Sequence, residues 1–496
     1  MRALVAIWLG AVLSLAGCGG GTVADTANPT VDPPIQGATP FNATIAVGVR
    51  SQDRLRGVSF RIDPKPGASA MRPVTVRYAR EYLERRGLID AGLGRIGVAV
   101  FGLYAGRHNS GAVEVEFDDG STATVPFSID TPPYVDPAAR YDRPLVRVAR
   151  PRGAPLGFDY FYIKSALGPP IVVDTDGEPR WIGSGESLAT TSLFRDNGFT
   201  VVDGLALLRI EFDGTSAELA RIPTGIYTAA HHNLDEGKAG VLVELDASAN
   251  GVGIIESILA DVRTDGSVAA EWNFATILSR HMQRGGDDPT VLVRPGEDWF
   301  HMNAAAYDPR DDSIIVSSRE NFVIKVDYAS GEIIWIFGDP TKYWYSVPSL
   351  RAKSLNLASG LYPIGQHAVS LLPDGNLMLF NDGLGSIHAP PGESPGESRT
   401  FSAVSVYAID STSQTAAERW RFDYGQSIYS PICSSAYRTA DGSVLISYAT
   451  ADGSTHARLV GLDPQQAVVF DLQYDTSLCA TSWSAMPVPL EGLTFQ

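Results

Sequence analysis

The chain has 496 residues, with 39 Lys and Arg against 56 Asp and Glu, a formal net charge of −17. A surface of that sign repels phosphodiester backbones, which argues against nucleic acid as a partner. The length suffices for two domains or one large repetitive one, and 49 Gly and 32 Pro among short apolar runs suit strands joined by turns.

Residues 1–17 read as an address outside the fold. Arg2 supplies the positive start, residues 3–15 are apolar but too few to span a bilayer stably, and Leu15-Ala16-Gly17-Cys18 follows at once. This pattern fits a lipoprotein signal cleaved before Cys18, whose acylation would tether the product to a membrane; a plain secretory signal would leave Cys18 without a role. Gly19 in place of Asp favours the outer membrane of a two-membrane cell, so the expected location is its periplasmic face. Residues 18–40, rich in Gly, Thr, Asp and Pro, read as a flexible linker. Cys433 and Cys479 remain, in an oxidising compartment where a bridge and two separate buried thiols are both open.

Residues 41–133 alternate apolar and polar at 43–49, 97–103 and 112–117, with the turn Asp118-Asp119-Gly120, as in a small β-sandwich. An amphipathic stretch at 76–88 reads as a short helix within it. Thr131-Pro132-Pro133 marks the boundary, because proline cannot donate to a ladder. From 134 to 496 a loose unit repeats: a strand with a polar start, an Asp/Gly turn, an apolar strand, then a strand ending in Trp or Phe. Its clearest copies begin at His301, His367 and Cys433, with weaker ones near Tyr160, Thr191 and His231. Four strands per unit and six units describe an all-β fold, a six-bladed β-propeller preceded by a β-sandwich.

In a propeller the first strand of each blade lines the central channel, so equivalent positions converge on one axis. His232, His301 and His367 hold such positions. Asn303 lies two residues beyond His301 and, on a regular strand, would face the same side. Arg319 closes the next apolar run and returns to the end where His301 lies. Three histidines alone suit Zn²⁺, but a permanent guanidinium would compete with a dication, whereas it forks readily onto a sulfate or phosphate. No metal or other cofactor is therefore expected. The aromatic group Tyr343-Trp344-Tyr345, with Tyr362, is a candidate wall for a flat ring.

Specific motifs strengthen this reading. Asp298-Trp299-Phe300-His301-Met302-Asn303, the run 311–319 ending in Arg319, and Trp335-Ile336-Phe337-Gly338 resemble the bacterial aryl-sulfate sulfotransferases that use no nucleotide donor. Gln366-His367-Ala368 is similar to that family's nucleophile segment and His231-His232-Asn233 to its upstream histidine motif, with Asn233 where the family usually has an acid. The resemblance implies a ping-pong transfer between small phenolic donors and acceptors. In it His367 becomes sulfated, His232, His301, Asn303 and Arg319 hold the sulfuryl oxygens and manage the proton, and His231 lies at the substrate's edge. Some relatives carry a closely spaced cysteine pair near the site; this chain has none, which puts dependence on a local disulfide in doubt. The rivals are a membrane-anchored propeller scaffold and a metal-dependent hydrolase; a homodimer is compatible with any of the three.

Overall fold

The computed structural model describes residues 28–68, 71–185 and 187–496; the expected signal and Cys18 lie outside them. Among the described residues no helix is long and apolar enough to cross a membrane.

Six sheets, each with four antiparallel strands at its centre, follow one another along residues 160–487. Their innermost strands are Ser484–Pro487 (blade 1), Ser192–Arg195 (blade 2), Tyr227–Glu236 (blade 3), Met302–Asp308 (blade 4), Gln366–Leu371 (blade 5) and Ser435–Arg438 (blade 6). The alternation of side chains on each strand explains why sheets assemble into a ring. On Ser313–Ser318, Ile314 and Val316 pack against blade 3 together with Leu242 and Leu259. Ile315 faces the other way, into a core shared with Leu377, Leu379 and Tyr407 of blade 5. Blade 4 is thus apolar on both faces and buries them against its two neighbours.

Blade 1 closes the ring in a way the repeat alone did not reveal. The expected copy starting near Tyr160 is the second strand, Tyr160–Lys164; the axial one is Ser484–Pro487, paired with it in the register Tyr162↔Met486. The first and last segments of the propeller thereby share the sheet of blade 1, and Phe161 and Ile163 join Leu459 and Leu472 of blade 6 in a common core.

The N-terminal unit is a sandwich of two five-stranded sheets around Phe41, Val58, Val98 and Val115. Three expectations change here. Thr30–Val31 and Ile35–Gln36 pair with Asn42–Gly48, so the expected linker is already sheet from residue 30. The amphipathic stretch divides into strand Val74–Ala79 and helix Arg80–Arg85. The C-terminal strand Leu493–Phe495 crosses the expected boundary and lies parallel to Val74–Ala79. Phe101 stacks on Phe212 of blade 2 at 4.4 Å, continuing the sandwich core into the propeller.

Candidate active site

The inner strands of blades 3, 4 and 5 are irregular at the same end. His232, His301 and Ala368 hold φ of 49°, 48° and 50°, and the ladders shift register at His231/Leu234, Met302/Ala304 and His367/Ser370. Left-handed backbone is rare for such residues and stays put only where its surroundings fix it. The bulges break the strict alternation, and with it the expected pairing of His301 and Asn303. His301 precedes its strand and lines a cavity of about 420 Å³ together with Arg319 and His367. Asn303 does not belong to that lining. Its buried amide donates to the Gln366 carbonyl at 2.8 Å and so steadies the backbone just before His367.

Arg319 reaches the site as the sequence suggests: its N–H donates to the His301 carbonyl at 2.9 Å, tying the two strands of blade 4 together. Its guanidinium is 1 % exposed. Nη1 donates to Glu320 Oε1 at 2.6 Å, while Nε and Nη2 are buried without a partner. Glu320 is fixed in turn by Ser386 Oγ and the His388 N–H, and Lys342 Nζ donates to its carbonyl at 2.8 Å. One edge of a clamped cation is therefore left with two unpartnered donors, on a residue that lines the cavity.

The three histidines have different environments and different charges. His367 Nδ1 lies 3.1 Å from the Gly365 carbonyl, which only accepts, so the ring proton is on Nδ1 and Nε2 keeps its lone pair. Burial, then the Arg319 and His301 charges, hold His367 well below the ordinary histidine value. Asp382, 3.0 Å from the same Nδ1, is buried and driven well above the carboxylate range. His301 is the opposite case. Burial works against its cation, but Asp298 at 2.6 Å and Glu256 at 2.8 Å from Nδ1 outweigh this and carry it up to about 10. His232 is buried behind the lining, its ring 4.8 Å from that of His301 and 5.2 Å from Trp483; desolvation lowers it to about 4. Of the adjacent pair, His232 is thus the one beside the site. His231 is half-buried, bonds Asp246 at 2.8 Å and is raised to about 9 by that contact, outside the lining.

The expected aromatic wall lies elsewhere. Trp344 is fully buried against Phe322 and Tyr345, and Tyr362 packs on Phe337; none of Trp344, Tyr345 or Tyr362 lines the cavity. Trp483, just before the closing strand, does, together with a Cys433–Cys479 disulfide. The bridge left open by the sequence is therefore formed, and at the site. Asp298 had a sequence signal, three residues before His301, and Glu320 follows Arg319 directly. Glu256 and Trp483 come from other blades and had none.

A family model for arylsulfotransferase (ASST) matches residues 159–484. The arylsulfate sulfotransferase AssT of Escherichia coli O6:H1 is 25% identical over 373 residues, 62% of this chain and 60% of that protein. Its counterpart from Lelliottia amnigena is 23% identical over 331 residues, 53% and 54%. The chain thus spans 60% or less of the length of these relatives. A solved Bacteroides thetaiotaomicron protein of unknown function aligns over 92% of this chain and 91% of its own, at 12% identity and a TM-score of 0.33.

Proposed function

The chain belongs to the arylsulfotransferase family, and from that premise we propose that it moves a sulfuryl group from an aryl sulfate to a phenol through a sulfated His367. The observation that carries this reading is the unpartnered edge of Arg319. Two buried donors without partners cost free energy unless an acceptor meets them, and a sulfuryl group offers paired oxygens of the right charge.

In the first half-reaction His367 Nε2 attacks sulfur and the bond from sulfur to the aryl oxygen breaks. The departing phenolate takes a proton from cationic His301, while Arg319 stabilises the equatorial oxygens, where charge accumulates. In the second, an acceptor phenol returns a proton to His301 as its oxygen attacks sulfur and Nε2 leaves. Protons balance over the cycle, and no cofactor enters. Asn303 and Glu320 act as positioning residues, the first on the His367 strand and the second on Arg319. His232, neutral and edge-on to His301, adds no second positive charge beside it.

One observation favours the metal-dependent rival: His232, Glu256 and His301 offer ligand atoms within 4.8 Å of one another. That reading leaves the edge of Arg319 without a task and requires hydrolysis that a chelator stops. The test is a single-turnover measurement. With a chromogenic aryl sulfate and no acceptor, phenol release should stop after about one turnover and restart when phenol is added. A peptide containing His367 should then carry an added sulfuryl mass. Full transfer by His367→Asn, or free turnover in water abolished by chelator, overturns the proposal.

A further inference from the structure

Above its cationic floor the cavity is largely apolar, the Ser477 hydroxyl apart. Among the described lining residues only His301, Arg319 and His367 carry or accept a charge, and all three belong to the site of chemistry. The walls are Trp483 and the Cys433–Cys479 bridge. The lip is formed by Ile387 and Leu478, 53% and 66% exposed, which come from two different connections. Single exposed apolar residues are ordinary, but these two are held against the site. Ile387 lies between Ser386 and His388, both bonded to Glu320, the carboxylate that clamps Arg319. Leu478 precedes the bridged Cys479 and takes φ of 52°, a conformation that leucine seldom adopts. A volume of about 420 Å³ lies in the range of roughly 300–1,000 Å³ that holds drug-sized ligands, more than one ring and a sulfuryl group fill.

We infer that the substrates are uncharged aromatics larger than a single ring, whose second ring or alkyl arm lies on Trp483 and the disulfide and reaches the lip of Ile387 and Leu478. This rests on the sulfuryl-transfer reading of the same site. The floor recognises only the sulfuryl group and the phenolic oxygen, so everything that distinguishes one phenol from another must be read by apolar surface. A carboxylate or ammonium on the far side of the ring would lose water there and find no opposite charge, at most the Ser477 hydroxyl.

The test uses the full-length protein with 4-nitrophenyl sulfate as donor and four acceptors: phenol, 2-naphthol, 4-propylphenol and 4-hydroxyphenylacetate. Burying several more carbons should raise kcat/KM for 2-naphthol and 4-propylphenol over phenol by about tenfold or more, mainly through KM. The acetate should fall below phenol. Ile387→Ser and Leu478→Ser, both at exposed positions, should narrow the preference for 2-naphthol through its KM. Equal or lower efficiency with 2-naphthol, or variants that lower every acceptor by the same factor, overturn the inference while leaving sulfuryl transfer intact. Failure to transfer to any acceptor overturns the parent reading and this one with it.

Discussion

Arg319→Lys isolates the feature on which the proposed chemistry depends. The substitution keeps a positive charge beside the buried Glu320, so it does not strand that carboxylate; removing the charge altogether, as in Arg319→Met, would cost about 3–5 kcal/mol of stability and confound the result. What it removes is the fork. In the native site Nη1 is engaged by Glu320 and the two free donors are Nε and Nη2. An ammonium at the same place reaches at most one of two sulfuryl oxygens. Losing one preorganised donor costs about 2.7–4 kcal/mol of transition-state stabilisation, and at ~1.36 kcal/mol per tenfold this is a fall of about 10²–10³ in kcat/KM. The assay is transfer from a chromogenic aryl sulfate to phenol, with thermal unfolding to confirm that the variant is folded. A folded Lys variant within about threefold of the native rate would refute the argument, because the unpartnered edge would then meet nothing that reacts.

The pH profile should be a broad plateau. His367 must be neutral to attack and is held well below the ordinary histidine value, so donor kcat/KM should stay level as pH falls through about 6.5. The alkaline limb should follow His301, whose proton is lost near 10; an acid limb centred on the ordinary imidazole value would contradict the assignment of His367. Cys433→Ser/Cys479→Ser removes a bridge between residues 46 apart in sequence, worth about 2–4 kcal/mol in chain entropy. It should lower the unfolding temperature and raise KM for aryl sulfates, and an unchanged KM would remove the bridge from the substrate wall. We propose Cys18 as the lipid anchor: the native protein should fractionate with membranes and Cys18→Ser should be soluble, with an unmodified N-terminus by mass spectrometry as the contrary result.

What the sequence made legible was local or repeated. Arg319 returns to His301 because a short hairpin joins adjacent strands of one blade, and that pairing follows from strand period and turn signals alone. His367 was legible because its blade repeats that of His301. The illegible parts arise where the chain departs from its repeat. Asn303 left the cavity because a bulge at Met302/Ala304 breaks the alternation on which its placement depended. Glu256, with φ of 45° on a blade 3 strand, meets His301 from 45 residues away in sequence. Trp483 and Cys479 approach the site only because strand Ser484–Pro487 returns to blade 1, a closure that a count of repeats does not display. The aromatic run 343–345 misled because composition does not give direction; in that turn Trp344 is directed onto Phe322 instead of the channel.

These departures share a cause that bears on how the fold acquired a site. In a regular propeller the inner strands present side chains on both faces to neighbouring blades, and the axis receives little beyond backbone edges. At His232, His301, Ala368, Cys433 and Ser434 the backbone turns left-handed just where the strands enter. Each such residue costs of order 1–3 kcal/mol and persists only under constraint from its surroundings. Here the constraints are identifiable: carboxylates on the rings of His232 and His301, the Gly365 carbonyl on that of His367, and the disulfide on Cys433. The same contacts assign the charges, since the carboxylates beside His301 keep it cationic while desolvation and the Arg319 charge keep His367 neutral. Removing an aligning partner should therefore change geometry and protonation together. Asp298→Asn is the clearest case: one of the two carboxylates on His301 Nδ1 is lost, so its proton should leave at lower pH and the alkaline limb of kcat/KM should shift down with it. A variant that lost activity at every pH with the limb unmoved would assign Asp298 to support of the backbone alone.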